Sequence, residues 1–222
     1  MFHKFSFDIS REKIKKQFNI TFKQELQKSF HISALHYAYI LTSESNELQR
    51  FKWGLIPYWA KEPEKVEHLF LAQAEGLASK DSFRMPLRQK RAIVFADSYY
   101  DTIRTNKKDQ FYRILSKNQQ VLAFAAIWDV WTDANGKKFY SFSIISTEAD
   151  KELNSKGWSR MPLIFSDEYQ LSQWLDKELA LTDVIEMLKI KQTESMHYYP
   201  VTDELSDIKN DYPELHNEIT LD

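Results

Sequence analysis

Three aromatic side chains within seven residues are the clearest candidate for binding chemistry in this sequence. In "FKWGLIPYWAK", residues 51–61, Trp53, Tyr58 and Trp59 bracket a Gly-Leu-Ile-Pro turn. Aromatic rings on an exposed loop can stack on nucleobases, and one stacked base contributes about 1–3 kcal/mol. Packing of the same rings in a hydrophobic core is the alternative interpretation, and the stretch taken alone favours it.

Composition removes several kinds of reactive site. The 222-residue chain has no cysteine, which excludes disulfides, thiolate zinc sites and cysteine nucleophiles. Its four glycines are separated, so they form neither a phosphate-binding loop nor a dinucleotide motif. The six histidines show no metal-ligand spacing. We therefore expect neither a cofactor nor a metal.

Charge is unevenly distributed along a chain whose net charge is only −2. Residues 80–120 hold ten Lys or Arg against four Asp, whereas residues 203–222 hold seven acidic residues against Lys209. A basic middle can form a local patch for nucleic acid despite the neutral total. A solvated surface of mixed charge is the competing explanation, and charge alone favours it.

The sequence predicts one cytoplasmic domain without a membrane anchor. No window approaches the roughly 18 consecutive apolar residues of a membrane span, and Asp8, Arg11 and Glu12 interrupt any secretion signal. Repeats and Gly/Ser-rich linkers are absent, which favours a single domain over residues 1–222. We expect its acidic segment 203–222 to pack on the domain or trail from it, and the protein to be a monomer.

Residue patterns indicate the elements that would position these side chains. Ser10 is suited to cap a helix in which Ile14 and Phe18 share one face. Four runs from Arg91 onward, rich in β-branched and aromatic residues, predict an antiparallel sheet. Its last two strands are joined at Asn135-Gly136, a pair that supplies the positive φ angles of a tight hairpin turn. "SDEYQLSQWLD" and "LTDVIEMLKI" read as helices, so the fold class is α+β.

Several motifs in order resemble those of the SOS-response-associated peptidase (SRAP) family. They are "LAQAEGLASKDSFRMPLRQKRAIVFADSYYD", "LAFAAIWDVW", "FSIISTEAD" and "SRMPLIFSDEYQLSQWL". The likeness runs from Met1 through "VTDELSDIKNDYPEL", essentially the whole chain. It implies a mainly antiparallel, twisted, barrel-like β core flanked by helices, and abasic sites in single-stranded DNA as the substrate.

The resemblance also implies a nucleophile that this chain lacks. In the family, the cysteine after the initiator methionine attacks the sugar aldehyde through its amine, and its thiol then closes a thiazolidine ring. Phe2 occupies that position and has no thiol. So large a residue normally prevents removal of the preceding methionine, so the free amine is expected to belong to Met1.

Three further family positions are altered. The family's Asn-Ala-Arg-Ala-Glu becomes Leu71 to Glu75, in which the asparagine is lost and only the glutamate survives. The family's Glu of Asp-Gly-Phe-Tyr-Glu-Trp becomes the shorter Asp101, and the His of His-Asp-Arg-Met-Pro becomes Trp158, whose indole cannot relay a proton. Such losses within an intact scaffold are typical of a pseudoenzyme. Met1, His3, Glu75 and Asp101 remain the weak candidates for residual chemistry.

DNA contacts tolerate substitution better than catalysis because they need positive charge more than fixed geometry. By resemblance, Lys4, Arg84 and Arg160 would contact phosphates, and Trp53 would lie beside the DNA groove. The alternative for the two arginines is a structural ion pair with a carboxylate such as Glu75 or Asp101.

Three hypotheses follow. The protein binds single-stranded or abasic DNA without a covalent bond; or the Met1 amine forms a Schiff base without ring closure; or the cleft, made more apolar by Leu71 and Trp158, holds a protein or small molecule. The third hypothesis would be supported if Phe2 and Trp158 packed together and closed the cleft to DNA.

Overall fold

The structure, a computed structural model, describes residues 2–63, 69–104, 109–118, 120–190 and 195–221. The strands in these ranges are β1 (Lys4–Phe7), β2 (Ser29–Ser33), β3 (Tyr37–Thr42), β4 (Gln49–Trp53), β5 (Leu71–Gln73), β6 (Arg91–Ala96), β7 (Ser98–Arg104), β8 (Asp109–Ser116), β9 (Leu122–Thr132), β10 (Lys138–Glu148), β11 (Arg160–Pro162), β12 (Ile164–Phe165) and β13 (Met196–Pro200). The helices are α1 (Arg11–Phe18), α2 (Asp81–Gln89), α3 (Lys151–Ser155), α4 (Glu168–Leu175) and α5 (Leu181–Met187). Three short 3₁₀ helices cover Leu77–Ser79, Asp203–Ser206 and Pro213–His216.

Five strands close on themselves into a barrel. The ring runs β10, β4, β3, β6, β9 and back to β10, with β5, β11 and β12 paired onto its rim. All pairings in this sheet are antiparallel except those of β10 with β4 and β5. Closure leaves no free edge in the ring, and the α+β, mainly antiparallel, barrel-like prediction is confirmed.

A second, five-stranded sheet carries the N-terminal strand and packs against the barrel. Its order is β13, β8, β7, β1, β2, with antiparallel pairing throughout. Phe5 and Phe7 point towards the barrel, as the alternation of a strand requires. Ser6, which points the other way, is also fully buried. β1 is therefore covered on both faces.

The outer cover of β1 comes from the acidic C-terminal segment. Leu205 and Leu215 are fully buried in a small cluster with Tyr100. Asp211 accepts hydrogen bonds from the backbone N–H groups of Phe30 (2.5 Å) and His31 (3.2 Å) in β2. The segment packs on the sheet rather than trailing from it.

The predicted helices form where the caps and apolar spacing place them. The Ser10 hydroxyl accepts from the backbone N–H of Lys13, and Ile14 and Phe18 are buried on one face of α1. Asp167 caps α4 in the same way, and Leu171 and Trp174 bury its inner face. In the described part of the chain, none of the helices is long and apolar enough to cross a membrane.

The β9–β10 hairpin is confirmed, but its predicted turn is wrong. The loop spans residues 133–137 between the paired Thr132 and Lys138. Only Gly136 has a positive φ, of 80°. The Asp133 carboxylate accepts from the backbone N–H groups of Asn135 (2.9 Å) and Lys137 (2.8 Å). A side-chain-stabilised longer loop replaces the two-residue turn because Asp133 satisfies these amides itself.

Two residues of the basic middle are structural. Arg91 is 1% exposed and donates to the carbonyls of Leu87, Arg88, Trp174 and Asp176. The Arg113 guanidinium pairs with Asp97 at 2.7 Å beneath the C-terminal segment. These charges are not available to a partner, so the basic patch is smaller than the sequence suggests.

Candidate functional site

The residue at the family's nucleophile position is part of the hydrophobic core. Phe2 is fully buried, and its ring meets Tyr99 edge-on with the centroids 5.5 Å apart. Phe5 continues the contact by packing against Trp53 at 5.2 Å and Phe124 at 6.0 Å. The start of the chain is thereby fixed by packing. Met1, predicted to carry the free amine, lies outside the described residues.

Asp101 and His3 face each other across neighbouring strands. The β1–β7 register pairs Lys4 with Tyr100, and one further residue places His3 opposite Asp101. Asp101 is 3% exposed, and one of its oxygens accepts from the backbone N–H of Thr102 at 2.8 Å. Burial raises the pKa of Asp101. Desolvation also lowers the pKa of His3, with the Asp101 charge opposing that shift. Both shifts favour the uncharged forms.

The tryptophan at the family's histidine position is held between two tyrosines. Trp158 is 3% exposed, and its ring lies edge-on to Tyr112 and Tyr198, both at 5.3 Å. Its Nε1 is buried and has no hydrogen-bond partner among the described residues. Tyr112 pairs with Asp101 across the β7–β8 ladder. Trp158 thus covers the strand next to Asp101 with a rigid apolar ring.

Among the described residues, Phe2 and Trp158 do not form an aromatic ring pair with each other. In the described part of the chain, both side chains belong to the main core, but their ring partners are Tyr99 and the tyrosine pair respectively. The Tyr99 hydroxyl is buried without a hydrogen-bond partner in the same part of the chain. Phe2 and Trp158 therefore pack against different aromatic partners within the same core.

Glu75 and Arg160 form an ion pair. Arg160 Nη2 lies 2.8 Å from Glu75 Oε2, and the arginine side chain is only 12% exposed. The same nitrogen donates to the Ser146 carbonyl at 2.5 Å. Partial burial raises the pKa of Glu75, but hydrogen bonding and charge from Arg160 outweigh it and the net shift is downward. The structural ion-pair alternative holds for Arg160. Leu71 is half-buried on β5.

Lys4 lies in a network that the sequence did not reveal. Its Nζ is 3.0 Å from His31 Nε2 and 3.0 Å from Ser33 Oγ. His31 Nδ1 lies 2.9 Å from the Asn210 carbonyl, so Nδ1 donates and Nε2 accepts. Burial, followed by the Lys4 charge, lowers the pKa of His31 to about 4. Burial also lowers the pKa of Lys4. None of the described carboxylates pairs with its ammonium.

The aromatic stretch divides into one core ring and two exposed rings. Trp53 is fully buried, donates to the Phe70 carbonyl at 2.9 Å and stacks on Phe142. The ring is therefore not open for a base to stack on it, and its predicted place beside a DNA groove stays a prediction. Tyr58 and Trp59 remain 57% and 48% exposed.

Hydrogen bonds to β9 hold the turn that carries Tyr58 and Trp59. Asp129 accepts from the backbone N–H of Tyr58 at 2.8 Å, and Trp131 Nε1 donates to the Ala60 carbonyl at 2.7 Å. Tyr58 and Trp59 line a cavity of about 510 Å³ together with Arg84. Arg84 is 55% exposed and meets only Asp81 among the described carboxylates, at 3.8 Å. Two open rings and a solvated cation therefore share one surface.

Within the described residues, no group of three His, Asp or Glu side chains could hold a metal ion. Among the described residues, His3 and Asp101 are the facing pair suited to proton transfer at this site. Sequence reasoning missed His31, Tyr112 and Tyr198, because their roles depend on strand pairing between distant segments. His31 could have been found from the pairing of β1 with β2, because that pairing brings it next to Lys4.

A closed barrel packs against a second sheet that carries the N-terminal strand, and Phe2, Asp101 and Trp158 are buried at the positions compared with the family. This architecture defines the class of protein. The model of the SOS response associated peptidase (SRAP) family matches residues 1–208, and the chain belongs to this family. The resemblance drawn from the motifs is confirmed.

The chain is also similar to individual proteins of known name or structure. It is 35% identical over 173 residues to the abasic site processing protein YoqW of Bacillus subtilis, covering 77% of this chain and 76% of YoqW. It is 27% identical over 214 residues to the abasic site processing protein HMCES of Rattus norvegicus, covering 82% and 60%. A crystal structure of a Bacteroides thetaiotaomicron protein superposes with a TM-score of 0.84 at 26% identity, covering 98% of this chain and all of that one.

Proposed function

We propose that this protein binds single-stranded DNA at or near abasic sites without forming a covalent crosslink, as a pseudoenzyme of the DNA damage response. The observation that carries the proposal is Phe2, fully buried against Tyr99 where family chemistry requires a cysteine. Family membership and the names of the relatives supply the DNA substrate.

Loss of the acid–base group supports the non-covalent part of the proposal. Trp158 is locked between Tyr112 and Tyr198, and its indole nitrogen can only donate. His3 is not an equivalent replacement for the family's histidine. It directly precedes β1, whereas position 158 lies in the loop before β11. A Schiff base formed at this site would have no group at position 158 to move its proton.

Binding is supported by groups that remain open to solvent or lack a carboxylate partner. Among the described residues, the half-buried Lys4 ammonium contacts only the neutral acceptors His31 Nε2 and Ser33 Oγ, which favours an incoming phosphate. Trp59 and Arg84 add an aromatic ring and a solvated charge, the combination used by proteins that bind single strands. Arg160 contributes less than the sequence suggested because Glu75 already neutralises it.

Fluorescence anisotropy with a labelled single-stranded oligonucleotide tests binding directly. The logarithm of the affinity should fall with log salt with a slope of about −1.4, because each of about two phosphate contacts contributes roughly −0.7. Lys4→Gln should reduce the slope by about 0.7. Absence of binding at low salt would refute the proposal.

Intact mass measurement with abasic single-stranded DNA, with and without borohydride, tests the covalent alternative. We expect an unmodified mass in both cases. A borohydride-dependent adduct would instead support Schiff-base chemistry by the Met1 amine, and an adduct stable without borohydride would contradict the pseudoenzyme assignment. Binding by anisotropy with no adduct is the result that supports the proposal.

A further inference from the structure

The side chain of Lys4 lies on the face of β1 that the C-terminal segment covers. It alternates with Phe5 and Phe7, which point towards the barrel, so it points the other way. The β1–β2 register pairs Lys4 with Ser33, and His31 lies two residues before Ser33 on the same face of β2. Three polar side chains therefore meet on the covered side of this sheet.

The hydrogen bonds among these three side chains run in one direction. The Lys4 ammonium donates to Ser33 Oγ at 3.0 Å, and Ser33 Oγ lies 2.7 Å from His31 Nε2. Lys4 Nζ is also 3.0 Å from the same ring nitrogen. An ammonium can only donate, so Nε2 must carry no proton, whichever of the two neighbours reaches it. The arrangement therefore requires one particular tautomer of His31.

The C-terminal segment sets this tautomer. His31 Nδ1 lies 2.9 Å from the backbone carbonyl of Asn210, which can only accept, so the proton is on Nδ1. The next residue, Asp211, accepts from the backbone N–H of His31 at 3.2 Å and from Ser29 Oγ at 3.0 Å. These bonds hold the Asn210 carbonyl at the imidazole. Asn210 and Asp211 both lie beyond residues 1–208, which the family model matches.

The network orders the Lys4 ammonium without neutralising it. Burial lowers the pKa of His31 to about 4, so its ring is uncharged at pH 7. An ammonium has three N–H donors, and the directions to Ser33 and His31 account for two of them. The third donor and the full charge remain for a phosphate. A lysine that is already ordered also loses less rotamer entropy on binding than a free one.

We propose that His31 is a positioning residue for Lys4, and that the C-terminal segment, through the Asn210 carbonyl, controls how tightly this protein binds single-stranded DNA. With the segment in place, the ammonium is held ready for a phosphate. With the segment displaced, the His31 proton can move to Nε2, and Lys4 then loses that acceptor. The inference rests on the proposed function, in which Lys4 contacts DNA, and adds a control of that contact that the sequence motifs do not mark.

Substitutions of His31 test the positioning role. His31→Phe keeps a flat ring but removes both nitrogens, whereas His31→Gln can still accept from Lys4 and donate to Asn210. In anisotropy with a labelled oligothymidine, His31→Phe should bind about fivefold more weakly than wild type, because Lys4 is no longer ordered before binding. His31→Gln should restore binding. The matched control is His197→Phe, at an exposed histidine on β13, the opposite edge strand of the sheet, and it should bind as wild type does.

A double-mutant cycle with Lys4→Gln shows whether His31 acts through Lys4. In the Lys4→Gln background, His31→Phe should cause no further loss of affinity, since there is no ammonium left to position. A purely structural role would give the same loss in both backgrounds. Urea midpoints measured for every variant show whether weaker binding reflects unfolding. If His31→Phe is unfolded, the segment variants below decide the question.

Asp211→Ala and Asp207→Ala form a matched pair for the segment. Each removes one negative charge from it, but Asp207 is exposed and accepts from the backbone N–H of Lys209 within the segment itself. Asp211→Ala should bind DNA about threefold more weakly than Asp207→Ala, because the Asn210 carbonyl is no longer held at His31. Nitrogen-15 NMR should show the His31 proton on Nδ1 in wild type and a larger Nε2–H population in Asp211→Ala.

The outcomes separate this inference from the proposed function. If wild type binds DNA but folded His31→Phe binds as tightly as His197→Phe, or Asp211→Ala binds as tightly as Asp207→Ala, the inference is overturned and the proposed function stands. A wild-type spectrum with the His31 proton on Nε2 would overturn it as well. If wild type binds no DNA at low salt, the proposed function is refuted, and the inference falls with it.

Discussion

The cleft around Trp158 and the surface around Trp59 place the same kind of side chain in opposite settings. Trp158 is 3% exposed and clamped by two tyrosines, whereas Trp59 is 48% exposed on a turn anchored by Asp129. In the first region, the family's chemistry requires a polar side chain that can exchange a proton. In this chain a tightly packed apolar ring stands there instead. In the second region open rings and cations remain. Under the proposed function, catalysis and binding are separable in this fold, because the family's chemistry uses positions that are buried here and the proposed DNA contacts use exposed ones.

The strongest test of this comparison is the stability of two tryptophan variants. Trp158→Ala should lower the free energy of unfolding by about 3–5 kcal/mol, since a large buried ring leaves a cavity. Trp59→Ala should change it by about 0.5 kcal/mol or less. Urea unfolding followed by circular dichroism measures both. Similar losses for the two variants would show that the regions do not differ in packing as described.

Acid should destabilise the hydrogen-bond network of Lys4 and His31, which lies under the C-terminal segment, more than it destabilises the region around Trp158. The folded-state pKa of His31, about 4, lies below its ordinary value of 6.5, so the unfolded chain binds the proton first as pH falls. Its stabilising contribution is complete above about pH 6.5 and is lost as pH falls towards 4. From pH 7 to pH 5 the loss should be about 2 kcal/mol.

His31→Gln, which keeps a hydrogen-bonding group at the position, should remove that share of the pH dependence. The measurement is the urea midpoint at pH 7, 6 and 5 for both proteins. A wild-type pH profile with the same slope as that of His31→Gln would contradict the assignment of a buried, neutral imidazole. His216, whose pKa burial also lowers to about 4, should leave a residual slope in the variant.

The smallest expected effect concerns binding at the exposed surface. Trp59→Ala should weaken single-stranded DNA binding about tenfold, equal to about 1.4 kcal/mol, through loss of one stacked base. Trp158→Phe, which keeps a buried aromatic ring, should leave affinity unchanged. Anisotropy at one fixed salt concentration compares them. A larger loss for Trp158→Phe than for Trp59→Ala would reverse the comparison of the two regions.

Local features of the fold were predictable, and features that depend on distant pairing were not. The Ser10 cap with Ile14 and Phe18 follows from spacing within nine residues, and the structure confirms it. The Asn135-Gly136 hairpin was found but its turn was not, because Asp133 competes for the same amides. Trp53 and Trp59 cannot be told apart within their seven-residue stretch, since the register of β4 against β10 decides which ring is buried.

The candidate site shows the same division. The motifs named the positions of Phe2, Asp101 and Trp158, and the structure connects the last two through Tyr112, which pairs with Asp101 and packs on the Trp158 ring. The ion pair of Arg160 with Glu75 was foreseen as an alternative. The Lys4 network was not, because His31 lies 27 residues away and reaches Lys4 only through the pairing of β1 with β2.

The contact of Asp211 with β2 has a consequence for self-association. β2 is the outermost strand of its sheet, and an unprotected outer strand invites a second chain to add to it. Asp211 occupies the N–H groups of Phe30 and His31, two donors that such a chain would need. Asp211 lies past the residues 1–208 that the family model matches. Resistance to aggregation at this edge therefore depends on a carboxylate beyond the family's matched region.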